Sequence, residues 1–208
     1  MEATGTYEFV TTWRIHAPRT QVWQALRDPE RYPQWWPGME HVEVVERGAC
    51  DGTGQRVRLT ARGRLPYRLR FETVDREIRE PDRIIVDAVG ELDGNGQWDL
   101  KQNGGVTTAT YTWTVATTRR WMNRIEPFAR PFFVWNHHVL MRWGGEGLAR
   151  RLGGRLIDQE HTPPVRALDF APSGALVAVL FGLVLWRRRC RHDIGGNGPR
   201  RRSKQRAC

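Results

Sequence analysis

Pro131 to Leu152 reads PFFVWNHHVLMRWGGEGLARRL, with Gly153-Gly154 directly behind it. Phe132, Trp135, Val139, Trp143 and Leu148, preceded by Phe128, recur at helical spacing and predict an uninterrupted helix over Pro131–Leu152 with one broad apolar stripe. The glycine pair supplies the stop. Pro127 and Pro131 predict a kink or a separate short segment at the start, because proline lacks a backbone donor and crowds the carbonyl four residues back. A stripe of this length needs a large apolar partner, which the residues upstream must provide.

Upstream, the period of the pattern is two. Tyr7, Phe9, Thr11, Trp13 and Ile15 fall on one side of a first strand, with Glu8, Thr12 and Arg14 on the other. Pro18 opens a helix carrying Val22, Trp23 and Leu26, which ends at Arg27 because Asp28 precedes Pro29. Arg31 to Trp36, between Pro29 and Pro37, forms a second short helix or turn. Six strands follow: Val42–Glu46, Gln55–Arg62, Tyr67–Arg79, Arg83–Val89, Gln97–Gln102 and Val106–Thr117. Turns at Asp51-Gly52, Glu80-Pro81-Asp82, Asp93-Gly94-Asn95-Gly96 and Asn103-Gly104-Gly105 separate them, so an antiparallel meander is expected. A flat sheet leaves much of the helical stripe bare, whereas a twisted, bulged sheet wraps it.

The run Ile15-His16-Ala17-Pro18, Val22-Trp23, Leu26, Asp28, Arg31-Tyr32-Pro33 and Trp35-Trp36-Pro37 resembles the opening of the polyketide cyclase/dehydrase-like group of the START-related (SRPBCC) superfamily. Trp135-Asn136-His137 with Gly147-Leu148 resembles that group's last helix. The resemblance covers residues 7–153 and implies an α+β helix-grip (START/Bet v 1-like) fold, a curved antiparallel sheet around a long C-terminal helix with an apolar tunnel between them. Superfamily members bind lipids, sterols, quinones, hormones or polyketides, and some are cyclases or aromatases. No fixed catalytic motif accompanies the fold.

Asn136 falls on the apolar stripe, seven residues from Ala129 and from Trp143, where a buried amide needs partners. It either bonds a ligand or ties the helix to backbone, and the tie is the commoner use of such an amide. Adjacent His137 and His138 point about 100° apart on a helix, and residues 140–142 offer no carboxylate to orient either ring, so surface or rim histidines are expected. The candidates for a catalytic role are Asn136 or one of the two histidines, His137 first. Trp35 and Trp36 read equally as a lid over the tunnel or as core anchors. Tyr67, Trp98, Tyr111 and Trp113 sit on strands, and exposure on the convex face would be unfavourable for their rings. The candidate ligand-binding set is Trp35, Trp36, Tyr67, Trp98, Trp113, Phe132, Asn136 and Trp143. Glu72, Asp75, Asp87 and Asp99 lie among arginines and are expected in ion pairs on the outer face. His16 and His41 are too scattered for a metal set, and no metal or cofactor is expected.

The formal charge is +10, but residues 187–208 carry nine Lys or Arg against Asp193 alone. That tail holds +8, leaving +2 on residues 1–186, so an anionic partner belongs to the tail and nucleic acid is a minor expectation. Apolar residues make up 39% and charged residues 27%, with ten Trp, a globular composition. Cys50, Cys190 and Cys208 show no paired spacing, and the polar start Met1–Tyr7 lacks a signal-peptide pattern, which together suggest a cytoplasmic setting. Residues 154–169 read as a linker. Residues 170–186 carry no charge; at ~1.5 Å per residue they span about 26 Å against a ~30 Å hydrocarbon core. Spanning, lying on an anionic membrane surface through residues 170–191, and covering a soluble apolar face all fit this composition. The function expected is carriage or sensing of a small hydrophobic ligand such as a lipid, quinone or polyketide, with polyketide-type cyclisation or aromatisation as the alternative.

Overall fold

Strand β1, Thr6–Ile15, buries Tyr7, Phe9, Thr11, Trp13 and Ile15 and turns Glu8 and Arg14 to solvent, following the period of two in its sequence. The computed structural model describes residues 6–162. Helix α1, Arg19–Leu26, begins behind Pro18 and buries Val22, Trp23, Ala25 and Leu26. A 3-10 turn over Pro29–Arg31 leads into the single-turn helix α2, Tyr32–Trp35. The chain then runs through β2 (Met39–Glu46), β3 (Arg56–Ala61), β4 (Leu69–Arg79), β5 (Arg83–Gly90), β6 (Leu92–Asn103) and β7 (Val106–Thr117). Helix α3 (Arg120–Arg151) and β8 (Leu156–Thr162) complete it.

The strands form one sheet in the order β2-β3-β4-β5-β6-β7-β1-β8, antiparallel throughout. Register shifts at Met39/His41, Val44/Glu46, Asp75/Glu77 and Arg14/Ile15 add local twist, so the sheet curves around α3 in a helix-grip arrangement. The core lies between the concave face and α3, with α1 and α2 closing one side.

Four expectations change. Helix α3 begins at Arg120 and runs through both prolines without a break. Burial of Met122, Ala129 and Phe133 against the sheet outweighs the local cost of the lost backbone bonds. The expected stripe faces the sheet only in its second half: Val139 and Leu148 are buried, whereas Phe128 is 69% exposed and Trp135 46% exposed. In the first half Met122, Ala129 and Phe133 take the buried places, followed by Asn136, Met141 and Leu148, with Gly144 and Gly147 against α2. A Cβ on Gly147 would lie 1.6 Å from the Trp35 carbonyl oxygen, and one on Gly144 2.5 Å from the Trp36 ring. Only glycine lets the two helices approach so closely.

Gly94 and Gly96 lie inside β6, not in a hairpin turn, and pair with Val115 and Trp113 of β7. The chain turns earlier, at Gly90-Glu91, where Gly90 has φ +115°. A Cβ on Gly96 would come within 2.6 Å of both the Trp113 ring and the Tyr111 hydroxyl, so the glycine makes room for those side chains. Finally, part of the expected linker is β8, which pairs with the outer edge of β1 from Ile15 to Val10. Its half-buried positions include Gln159 and His161, so no apolar alternation marked it as a strand. The apolar segment 170–186, the basic run 187–208 and the membrane partner expected through 170–191 lie outside the described residues. Among the described residues, no helix is long and apolar enough to cross a membrane.

Candidate functional site

Between α3 and the concave face lies a cavity of about 190 Å³. An apolar cavity of about 150 Å³ is enough to hold benzene, so this space suits a molecule of one or two rings. Its wall is built by alternation. On β4, Leu69, Phe71, Thr73 and Asp75 all face the cavity; Trp98 comes from β6, and Tyr111 and Trp113 from β7. The rings are in mutual contact: Trp36 to Trp13 at 5.5 Å, Trp13 to Trp98 at 4.9 Å, Trp98 to Tyr111 at 4.4 Å and Tyr111 to Trp113 at 5.6 Å between centroids. These rings pack against one another as a continuous aromatic cluster.

Of the expected ligand-binding residues, Trp36, Tyr67, Trp98, Trp113 and Asn136 border the cavity, and Trp35, Phe132 and Trp143 do not. Trp35 is buried against α3 and Trp143 packs against the core from outside. Phe133, one position along from Phe132, takes the inward place. Trp36 is a core anchor as well as part of the wall, since its indole N–H donates to the Leu140 carbonyl at 2.8 Å. Tyr67 precedes β4 and belongs to the β3–β4 loop, residues 62–68.

Asn136 ties α3 to that loop. Its Oδ1 accepts from the Leu65 backbone N–H at 3.0 Å and its Nδ2 donates to the Tyr67 hydroxyl at 3.3 Å. Gly63 gives the amide its seat, because a Cβ there would fall 2.2 Å from Oδ1. Burial pushes the Tyr67 phenol up to about 12, against a smaller opposing effect of the Asn136 hydrogen bond. A tie to the protein thus occupies the amide oxygen and one amide hydrogen.

His137 departs from the expected rim position. It borders the cavity, stacks on Phe9 at 3.9 Å between ring centroids, and its buried Nε2 has no hydrogen-bond partner among the described residues. Burial, reinforced by His138 and His161, lowers its pKa to about 3, so the imidazole is neutral at pH 7. His138 instead stacks on His161 of β8 at 4.2 Å. The buried Tyr7 hydroxyl also lacks a hydrogen-bond partner among the described residues, and burial raises its pKa above the usual phenol range.

The sequence reading placed Asp75 on the outer face. It is buried and faces the cavity, paired with Arg27 from the end of α1. Glu72, Asp87 and Asp99 do sit in partly exposed ion pairs, with Arg56 and Arg58, Arg76, and Arg83. Burial raises the Asp75 pKa while Arg27 lowers it. Tyr32 lies beside this pair and donates to the Leu26 carbonyl at 2.5 Å. Among the described residues, Arg27 and Asp75 are the only charged side chains on the cavity wall, and their charges balance. The sequence carried a usable signal: Phe71, Thr73 and Asp75 share one parity along β4 and Glu72 has the other. Among the described residues, no group of three or more His, Cys, Asp or Glu side chains is arranged to hold a metal.

Solved structures share this architecture at low identity. The di-domain ARO/CYC BexL from the BE-7585A biosynthetic pathway superposes with a TM-score of 0.59 at 21% identity over 74% of this chain, which spans 52% of that protein's length. The Zhui aromatase/cyclase from Streptomyces sp. R1128 superposes with a TM-score of 0.59 at 17% identity, covering 71% of this chain and 94% of the other. The protein TTHA0849 from Thermus thermophilus gives 0.58 at 20%, covering 69% and 98%. At these identities the likeness is one of fold. No curated protein matches the chain. The family model described as polyketide cyclase / dehydrase and lipid transport matches residues 6–157. With the curved sheet, the gripping helix and the aromatic cavity accounted for, the chain belongs to the polyketide cyclase/dehydrase and lipid-transport family.

Proposed function

We propose that the protein binds one small, neutral, largely apolar molecule of one or two rings and carries or senses it without changing it. The charge balance of the cavity is the observation behind this reading: Arg27 is paired with Asp75, and His137 is neutral. An anionic ligand would bring a charge into this space with no free cation among the described lining residues to receive it, which is strongly unfavourable. A hydroxyl or carbonyl, by contrast, can use the unpartnered Tyr7 hydroxyl or His137 Nε2. Small size follows from the volume of about 190 Å³.

Titration calorimetry with 2-naphthol and 2-naphthoate, which share a ring system and differ in charge at pH 7, tests the reading. The wild type is expected to bind the naphthol at least tenfold more tightly. Asp75→Asn, which leaves Arg27 unpaired, is expected to shift the preference toward the carboxylate. Equal affinity of the wild type for both compounds would refute the proposal.

Polyketide-type cyclisation is a second reading, favoured by the presence of two groups able to exchange a proton, Tyr7 and His137, on the cavity wall. The low basicity of His137 and the engagement of Asn136 with the loop weigh toward binding alone. Turnover of a poly-β-ketone mimic that disappears in His137→Ala would establish the enzymatic reading.

A further inference from the structure

The first half of α3 carries an apolar face that no other element among the described residues covers. Trp121 is 42% exposed, Ile125 40%, Phe128 69% and Trp135 46%. With half-buried Phe132 they follow steps of four, three, four and three, which places them on one stripe about 21 Å long at ~1.5 Å per residue. Seven large hydrophobic residues are exposed among the described residues, and four of them lie on this stripe. An open patch of this kind marks an interaction surface.

The charge around it selects the partner. Arg120 and Arg124 are exposed on the same segment and take part in no ion pair among the described residues. The single acid between residues 119 and 142, Glu126, has a side chain only 14% exposed and is paired with Arg130. Two Trp and a Phe beside unpaired arginines, with no free acid, match the chemistry of an interfacial helix on anionic lipid. A protein partner or a second copy of this chain would have to cover both the aromatic rings and the two arginines, and this chain's own stripe offers no acid to a copy of itself.

We propose that residues 120–135 of α3 dock on an anionic bilayer surface, with Phe128 and Ile125 entering the headgroup region and Arg120 and Arg124 on lipid phosphates. The stripe is joined to the cavity through Tyr67, which borders the cavity and packs edge-on against Trp121 at 6.0 Å and Phe133 at 5.9 Å. Docking would therefore bring the Asn136-held loop and the cavity beside it to the lipid surface. The docking itself is independent of which ligand the cavity takes. It is also distinct from any contribution of residues 170–208, and the test separates the two.

Co-sedimentation of the full-length chain with large vesicles of phosphatidylcholine containing 30% phosphatidylserine, and with pure phosphatidylcholine, is compared for the wild type and for Ile125→Ser/Phe128→Ser. Both substituted positions are exposed, so the fold should tolerate them, as unchanged circular dichroism would verify. The wild type is expected to bind the anionic vesicles, the double variant at least tenfold more weakly, and pure phosphatidylcholine to bind poorly. Hydrogen exchange should show vesicle-dependent protection of peptides from residues 120–135. Equal vesicle binding by both proteins, absence of wild-type binding, or lipid-free dimerisation that the double variant abolishes while vesicle binding persists would each overturn the proposal.

Discussion

Asn136→Ala probes the link between α3 and the cavity-side loop. The substitution removes the acceptor of the Leu65 N–H at 3.0 Å and the donor to the Tyr67 hydroxyl at 3.3 Å. Two net hydrogen bonds are worth about 1 kcal/mol each, and a Leu65 N–H left buried without a partner costs about 1–3 kcal/mol more. The loop can relieve that last cost by opening to water, which caps the global loss at roughly 2–3 kcal/mol and moves the effect into local opening. For a domain of this size that loss corresponds to a fall of about 4–12 °C in melting temperature. The same energy favours the open loop by roughly 30- to 140-fold. Hydrogen exchange at Leu65 should accelerate by that factor, and stopped-flow release of 2-naphthol should accelerate with it if the loop is the exit. Asn136→Asp keeps an oxygen for Leu65 and should recover part of the loss. Unchanged exchange at Leu65 in Asn136→Ala would refute the account of this residue as a loop tie. Unchanged exchange with abolished turnover of a poly-β-ketone mimic would assign it to chemistry.

Gly147→Ala should destabilise despite its better helix propensity. The propensity gain of about 1 kcal/mol is opposed by a Cβ only 1.6 Å from a backbone oxygen that has no rotamer to escape to, for a net loss of about 2 kcal/mol in urea unfolding. A more stable variant would refute the close approach of α2 and α3. Gly96→Ala should push Trp113 or Tyr111 into the cavity and weaken 2-naphthol binding at least tenfold in titration calorimetry, whereas undiminished affinity would place the binding site elsewhere. Stability should also depend on pH through His137. Its pKa falls from 6.5 to about 3 on folding, so below pH 6.5 the unfolded chain takes up a proton that the folded chain refuses. This contribution is complete above pH 6.5 and is lost as pH falls toward 3, with a slope approaching about 1.4 kcal/mol per pH unit. His137→Phe should flatten the slope between pH 6 and 4 in thermal melts, and an unchanged slope would contradict the buried neutral imidazole.

Local pattern made the element order legible in the sequence. The alternation of Tyr7, Phe9, Thr11, Trp13 and Ile15 requires a half-buried strand, and Pro29 closes α1, because both effects act within a few residues of backbone. The run through Trp35-Trp36-Pro37 and the late helix pointed to the family to which the chain belongs. Where a side chain's surroundings depend on residues far away in the chain, local pattern was insufficient. Hydrophobicity placed Val139 and Leu148 of α3 on the inner face correctly but also Phe128 and Trp135, which are exposed; the close approach of α2 admits only small residues such as Gly144 and Gly147, which no hydrophobic period marks. Strand β8 has polar inner positions whose long-range partners lie on β1 and α3, so no apolar alternation announced it. Asp75 had the right parity to face inward, yet its cavity position is tolerable only because Arg27, 48 residues earlier, arrives to pair with it. Sequence determined which segments are strands and helices and the residues available to line a cavity. Tertiary structure alone decided which polar groups point into that cavity, which are already occupied, and that their charges cancel, because each of these depends on the distance between residues remote in the chain.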